Sequence, residues 1–221
     1  MIRHFHLPLI VACLSITAAA APNQTPTLTA VPGMLAWQNV PLDWQIDHGQ
    51  VLSITAPAKT DWFVSPMDGT RRDNSPRLLF QPGDDFVFSA KLTVDFRSMW
   101  DAGALVLYAN DSAWAKLALE MTVEKHPAIV SVVTRDTSDD NNSIAVQGNS
   151  VYLKIAKAGQ AIFFYTSEDG RNWKIIRAFS LGKLENLRVG FSSQSPTGDQ
   201  CTTVFDNIHY EARRTDLWTG K

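Results

Sequence analysis

The chain has 221 residues, of which 45% are hydrophobic and 19% are charged, and its formal net charge is −2. This length and composition indicate one globular domain of roughly 200 residues and exclude a disordered chain. The small negative charge and the lack of a basic stripe argue against nucleic-acid binding.

Residues 1–21 have the form of a secretory signal peptide, because Arg3 precedes an apolar run that ends in small residues near Ala20 and Ala21. The run is too short and too often interrupted by Ser and Thr to predict a stable membrane span. Cleavage would leave Cys201 as the only cysteine and would exclude an intrachain disulfide. An alternative is a lipoprotein, since Cys13 follows small apolar residues and could carry a lipid anchor. The expected location is therefore secreted or periplasmic.

Residues 22–34 are predicted to form a linker or an extended first segment, residues 35–212 one β-domain, and residues 213–221 a tail. The clearest strand pattern is 85–96, where alternate positions from Phe86 to Phe96 place apolar side chains on one face. The other strand-like segments are 51–55, 62–64, 103–108, 113–122, 128–135, 151–156, 161–166, 173–178, 187–192 and 203–210. Turn signals separate them at 81–83, 110–111, 139–142, 158–159, 168–170 and 195–198.

About a dozen short strands with regularly spaced turns predict an all-β fold. No long segment keeps an apolar period of 3.6 residues, so few helices are expected, and no fixed repeat suggests a propeller. A two-sheet antiparallel jelly-roll sandwich accommodates this many strands while exposing few edges.

The strand at 113–122 carries the best candidate for a functional surface. Side chains alternate along a strand, so Trp114, Lys116 and Glu120 share one face, while the other face is apolar. An aromatic ring, a cation and a carboxylate are costly to bury together unless they are paired or touch a ligand. A salt bridge on a solvated sheet is the alternative explanation for the two charged groups.

Trp62 is a second aromatic candidate, and both indoles could stack on a sugar ring or pack in the core. The strand at 128–135 presents either Thr134 with Val130 and Val132 or the opposite set beside Glu120, and the sequence leaves this register open. The complete set of candidate ligand-binding residues is Trp62, Asp73, Trp114, Lys116, Glu120, Thr134 and Asp139.

A glycosidase would need two carboxyl groups about 5–5.5 Å apart, or about 6.5–9.5 Å apart for inversion. Glu120 and Glu124 share a face, but four residues of strand separate them by about 13 Å. Glu120 could meet Asp139, Asp101 or Asp73 across strands, so catalysis by Glu120 remains an alternative.

The oxygen-rich run 136–142 could hold Ca²⁺, but it lacks the spacing of a helix-loop-helix calcium site, and a solvated loop is the simpler interpretation. The histidines show no metal-ligand spacing. No resident metal or other cofactor is predicted.

Several short segments along residues 35–210 stand in a characteristic order. They are Lys59-Thr60-Asp61-Trp62-Phe63, Arg72-Asp73-Asn74, Asp101-Ala102-Gly103 with Trp114-x-Lys116-x-x-x-Glu120, Ser131-Val132-Val133-Thr134 with Ser138-Asp139, Asp169-Gly170-x-x-Trp173 with Arg177, Val189-Gly190 and Ser195-Pro196. Taken together, these segments resemble the regulation-of-enolase-like family of bacteria and fungi, a domain of unknown function.

The resemblance implies a concanavalin A-like lectin/glucanase fold with two curved sheets and a groove, and it implies no established activity. The chain departs from the family in its secretory signal and in Ser193-Gln194, where relatives often place a Cys before the Ser-Pro pair. The leading hypothesis is a glycan-binding protein without catalysis. The alternatives are a polysaccharide-active enzyme that uses Glu120 and a protein-interaction domain with an apolar outer patch.

Overall fold

A computed structural model describes residues 25–220 as two stacked antiparallel sheets, and a short hairpin covers part of one of them. The all-β, two-sheet sandwich predicted from the sequence is confirmed. The strands are β1 (Ala36–Gln38), β2 (Asp43–Asp47), β3 (Val51–Pro57), β4 (Trp62–Val64), β5 (Arg71–Asp73), β6 (Arg77–Phe80), β7 (Phe86–Val94), β8 (Ala102–Asn110), β9 (Ala113–Met121), β10 (Pro127–Arg135), β11 (Thr137–Ala145), β12 (Ser150–Ala158), β13 (Ala161–Ser167), β14 (Lys174–Phe179), β15 (Arg188–Gln194) and β16 (Gln200–Glu211).

The first sheet has the order β1-β6-β15-β8-β9-β10-β11, and the second has the order β14-β13-β12-β7-β16-β3-β2. The main core lies between their inner faces. In β7 the alternation read from the sequence places Phe86, Phe88 and Leu92 in this core, fully buried. Gly190 in β15 is required by packing, because a Cβ there would lie 1.9 Å from the carbonyl oxygen of Leu78 in β6.

The β4–β5 hairpin lies over the outer face of the first sheet and forms a second apolar cluster with it. Its position is fixed at both ends. The Val64 amide donates to Ser138 Oγ at 2.9 Å, and the Thr60 amide donates to the carbonyl oxygen of Ser195 at 3.2 Å. The hairpin therefore covers the part of this face that carries Trp114 and its apolar neighbours.

One sequence prediction needs correction here. The run 136–142, interpreted as a solvated loop with a turn at 139–142, is mostly edge strand β11, and the turn before it is made at Asp136 with a φ of 64°. In the first segment, for which a linker and an extended segment were both left open, Leu28 and Val31 are buried in the main core. In the segment after residue 212, predicted as a tail, the carbonyl oxygen of Leu217 accepts from the Tyr165 hydroxyl at 2.5 Å.

Residues 1–24, which include the expected signal peptide and Cys13, lie outside the described part of the chain. Between residues 25 and 220 the structure has no helix of sufficient length and apolarity to span a membrane.

Candidate functional site

A pocket of about 340 Å³ opens on the outer face of the first sheet, beside the part covered by the hairpin. We call it the first-sheet pocket. Its lining combines charged groups with two aromatic rings and comes from six strands, or residues adjoining them, and one loop. The lining residues are Asp61, Phe63, Arg72, Trp100, Lys116, Glu120, Val132, Asp140 and Gln194.

Lys116 lies at the centre of the pocket lining and is only 3% exposed. On β9 it faces Val106 of β8 and Val132 of β10, so apolar neighbours flank the ammonium group. Its Nζ donates to Gln194 Oε1 at 2.9 Å and lies 3.7 Å from Asp61 Oδ1. These two partners offset the cost of burying the charge and hold the ammonium in one position.

Glu120 lies on the same face of β9 as Lys116, two residues beyond Ala118, and is 8% exposed. Burial raises the pKa of its carboxyl group to about 8, although the charge of Lys116 lowers it and the charges of Asp140 and Asp61 raise it further. Glu120 is therefore protonated at neutral pH. A neutral carboxyl group can donate one hydrogen bond and accept others.

Asp140 enters the pocket from β11, where it faces Val132 and thus lies two strands from Lys116. Burial also raises the pKa of Asp140, and the nearby Lys116 opposes that rise. The pocket thus contains two carboxyl groups, those of Glu120 and Asp140, whose pKa values are both raised by burial.

Trp100 supplies the exposed aromatic surface of the pocket, with 39% of its area accessible. It has a φ of 66°, which is rare for a bulky residue, and its amide donates to the carbonyl oxygen of Met121 at 2.7 Å. The buried carboxylate of Asp101 fixes the loop, accepting from the Ser98 amide at 2.8 Å and from Ser195 Oγ at 2.7 Å. The indole is therefore held at the pocket mouth by a tied loop.

Trp62 and Trp114 do not present an exposed indole, which corrects the expectation that they stack on a sugar. Both are fully buried, and they stack on each other with ring centroids 4.0 Å apart and planes 14° apart. The Arg77 guanidinium covers the Trp62 ring at 4.3 Å. Their role in this structure is to join the hairpin to the sheet.

Three other candidate residues also lie outside the pocket lining. Thr134 is buried and exchanges a hydrogen bond with Ser138 Oγ at 2.9 Å. Asp73 Oδ1 lies 2.7 Å from Arg77 Nη1, at an angle outside that of a hydrogen bond. Asp139 pairs with Arg177 at 2.7 Å on the exposed edge. These contacts are structural ion pairs and hydrogen bonds.

Of the seven candidates, the structure therefore brings only Lys116 and Glu120 together in the pocket. The register left open by the sequence is settled, because Val130, Val132 and Thr134 share the face of Glu120. The acids whose charges act on Glu120 are Asp140 and Asp61, and the expected partners Asp139, Asp101 and Asp73 are absent from the lining.

Sequence reasoning did not select the remaining lining residues as site residues. A weak signal existed for five of them, because four belong to the segments of the family resemblance and one to the acidic run: Asp61, Phe63, Arg72 and Val132, and Asp140. Trp100 and Gln194 come from loops and strand ends whose approach to β9 depends on the fold. Among residues 25–220, no group of three or more His, Cys, Asp or Glu side chains is arranged to hold a metal ion.

The fold defines a β-sandwich protein with a polar pocket on the outer face of the first sheet. The family model described as "Protein of unknown function (DUF1349)" matches residues 37–213, and the chain belongs to this family. The finer label of a regulation-of-enolase-like protein stays a resemblance. No protein of curated function matches the sequence significantly.

Several solved structures share the fold at low sequence identity. A functionally unknown protein from Saccharomyces cerevisiae is 18% identical with a TM-score of 0.75, over 82% of this chain and 97% of that one. A GH43 protein from Bacillus licheniformis is 17% identical with a TM-score of 0.61, over 86% of this chain and 39% of that one. An alginate lyase from Klebsiella pneumoniae is 11% identical with a TM-score of 0.53, over 77% and 84%.

Proposed function

We propose that this protein is a secreted or periplasmic carbohydrate-binding protein whose first-sheet pocket takes a neutral sugar. The observation that carries the proposal is the convergence of Lys116, protonated Glu120 and Gln194 beside the exposed ring of Trp100. The apolar segment before residue 22 supports a location outside the cytoplasm.

The charges around the pocket favour a neutral ligand over an ionic one. Lys116 and Arg72 are cationic, Asp61 and Asp140 are acidic, and Glu120 carries a proton at neutral pH. The pocket therefore has balanced charge and many directional hydrogen-bonding groups. Sugar hydroxyls, which both donate and accept, suit such a lining better than a carboxylate or an amine does.

The size of the pocket and its aromatic ring agree with this ligand class. A volume of about 340 Å³ falls at the small end of ligand sites, which span roughly 300–1,000 Å³. Trp100 can place its indole face against the apolar face of a sugar ring. We infer that the pocket takes one end of a glycan chain rather than a long internal stretch.

The comparisons support the proposal indirectly. The sandwich is shared with 39% of the chain of the GH43 protein and with 84% of the alginate lyase, which is named for activity on a polysaccharide. At this identity the likeness concerns the fold, and a glycan ligand is our proposal for this chain.

Substitutions in the pocket are expected to weaken glycan binding. We expect Trp100→Ala and Lys116→Met each to reduce affinity by about tenfold or more, since each removes a ring contact or a charged hydrogen-bond donor. A glycan array identifies the ligand, and calorimetric titration then measures each variant. Trp218→Ala is the matched control, because Trp218 is 73% exposed and lies over the other sheet. A clean array, or unchanged affinity in both variants, would contradict the proposal.

The raised pKa of Glu120 favours one second candidate, a polysaccharide-active enzyme. A carboxyl group protonated at neutral pH beside the carboxylates of Asp140 and Asp61 is the arrangement expected of a general acid with a base. Glu120→Gln should then lower sugar release by about 10²–10⁴-fold and leave binding intact. Asp140→Asn should also lower it, while Asp139→Asn on the same strand serves as control. Equal rates in Glu120→Gln and the unaltered chain would rule out this candidate.

A further inference from the structure

A second pocket, of about 450 Å³, lies on the outer face of the second sheet, on the opposite side of the sandwich. We call it the second-sheet pocket. Its floor is formed by side chains of three adjacent strands, and its rim by the turn between β13 and β14 and by the C-terminal segment. The lining residues are Val87, Ser89, Tyr152, Lys154, Asp169, Gly170, Arg171, Trp173, Asn207, His209, Arg213 and Gly220.

The strand register builds a polar row across the floor of this pocket. Lys154 of β12 faces Ser89 of β7, and Ser89 in turn faces His209 of β16. Adjacent strands are about 4.8 Å apart, so the small Ser89 leaves a gap about 10 Å wide between the backbones that carry the lysine and the histidine. A gap of this width can hold a small ion between the side chains of Lys154 and His209.

Lys154 is the unusual member of this row, because its side chain is only 4% exposed. Its Nζ donates to the carbonyl oxygen of Gly220 at 3.2 Å and lies 4.2 Å from the Trp173 ring and 4.6 Å from the Tyr165 ring. Within residues 25–220, no carboxylate lies within ion-pair distance of this ammonium. Among residues 25–220 this buried cation is stabilised by rings and one carbonyl dipole, without a carboxylate as counter-charge.

The charged group that acts on the pKa of Lys154 is itself a cation, Arg213. Arg213 and Arg171 also line the pocket, and the charge of Arg213 together with burial lowers the pKa of Lys154 to about 8. The carboxylate of Asp169 is engaged in its own turn, accepting from the amides of Arg171 and Asn172 at 2.9 and 2.8 Å. Outside the lining, Glu211 pairs with both Arg213 and His209.

We propose that the second-sheet pocket binds a small oxyanion, such as a sulfate, phosphate or carboxylate group, between Lys154, Ser89 and His209. The ammonium supplies a charged hydrogen bond, the Ser89 hydroxyl and the imidazole supply further donors, and Arg213 closes the rim. This site is separate from the first-sheet pocket and does not depend on the proposed function. A free anion and an acidic group of a larger glycan would present the same chemistry.

The test is calorimetric titration of the full chain at low ionic strength with sodium sulfate, sodium phosphate, sodium acetate and sodium glucuronate. We expect saturable binding of at least one of these anions. Lys154→Gln should weaken it by about tenfold or more, because it removes the buried charge. Lys183→Gln, an exposed cation outside the pocket, should leave it unchanged. Tighter binding of glucuronate than of acetate would assign the anion to an acidic sugar, and the reverse order would assign it to a free ion.

Ser89→Asp provides a second variant in case Lys154→Gln does not fold. It places a carboxylate in the middle of the row, where it would pair with Lys154 and exclude an external anion, so binding should disappear while the circular dichroism spectrum is retained. A terminal carboxylate on Lys221, next to Gly220 in sequence, would be a competing anion. The titrations are therefore repeated on a chain extended by Gly and Ser, in which that carboxylate is further from Gly220 in sequence. The proposal is overturned if neither the unaltered nor the extended chain shows saturable binding. It is also overturned if the Lys154→Gln and Ser89→Asp variants bind the anion as tightly as the unaltered chain does.

Discussion

Trp114→Ala is expected to lower the free energy of unfolding by about 3–5 kcal/mol, because it removes a fully buried indole and leaves a cavity beneath the hairpin. The loss includes the stacking contact with Trp62, whose ring centroid lies 4.0 Å away. For a chain of this size each kcal/mol corresponds to about 2–4 °C in melting temperature, so the variant should unfold about 6–20 °C below the unaltered chain.

The control for this experiment is Trp218→Ala, which removes a largely exposed indole and should change stability by less than about 1 kcal/mol. Comparing the two variants distinguishes a role of the Trp114 indole in packing from a role in ligand binding. If Trp114→Ala unfolds at the same temperature as the unaltered chain but loses glycan binding, then the indole contacts the ligand and the description of a buried stack is wrong.

Glu120→Gln is expected to change how stability depends on pH. The folded chain holds the Glu120 proton up to a pKa of about 8, against an ordinary value of 4.5. Between these two values the folded state binds more protons than the unfolded state. The free energy of unfolding therefore falls as pH rises through this window and stays low above pH 8. Glutamine stays neutral at every pH, so the variant loses this dependence.

Chemical denaturation at about pH 5 and about pH 9 measures the effect as a difference between the two chains. The unaltered chain should lose on the order of a few kcal/mol relative to Glu120→Gln over this range. Lys154, whose pKa is lowered to about 8, makes stability rise with pH above that value, and its contribution cancels because both chains contain it. Parallel pH profiles for the two chains would show that Glu120 is ionised in the folded state.

The sandwich could be read from the sequence because one face of most strands enters the main core. In β7 the apolar positions from Phe86 to Val94 alternate without a break, and each of them is buried. The acidic strand β11 was not predicted, since it lies at a sheet edge with nearly every side chain exposed. A strand without a buried face has no alternation to detect, so its Asp and Asn residues suggested a turn.

The pocket could be predicted only in part. Lys116 and Glu120 were identified because they interrupt an apolar strand, which is a local signal. The burial of Trp114 depends on Trp62, more than fifty residues earlier, and on a hairpin fixed by Ser138. Trp100, Asp140 and Gln194 reach the same pocket through strand pairing between distant segments. Contacts of this range follow from topology, which the residue pattern leaves undetermined.

The thiol of Cys201 lies on β16 in the main core, without exposure, and burial raises its pKa to about 12. A thiol that is neither accessible nor ionised reacts slowly with oxidants and alkylating reagents. Because β16 is paired on both sides, by β7 and by β3, reagents reach this sulfur only when the sandwich opens. The rate of its modification would therefore follow the opening of the whole domain, which gives the chain a reporter of its kinetic stability.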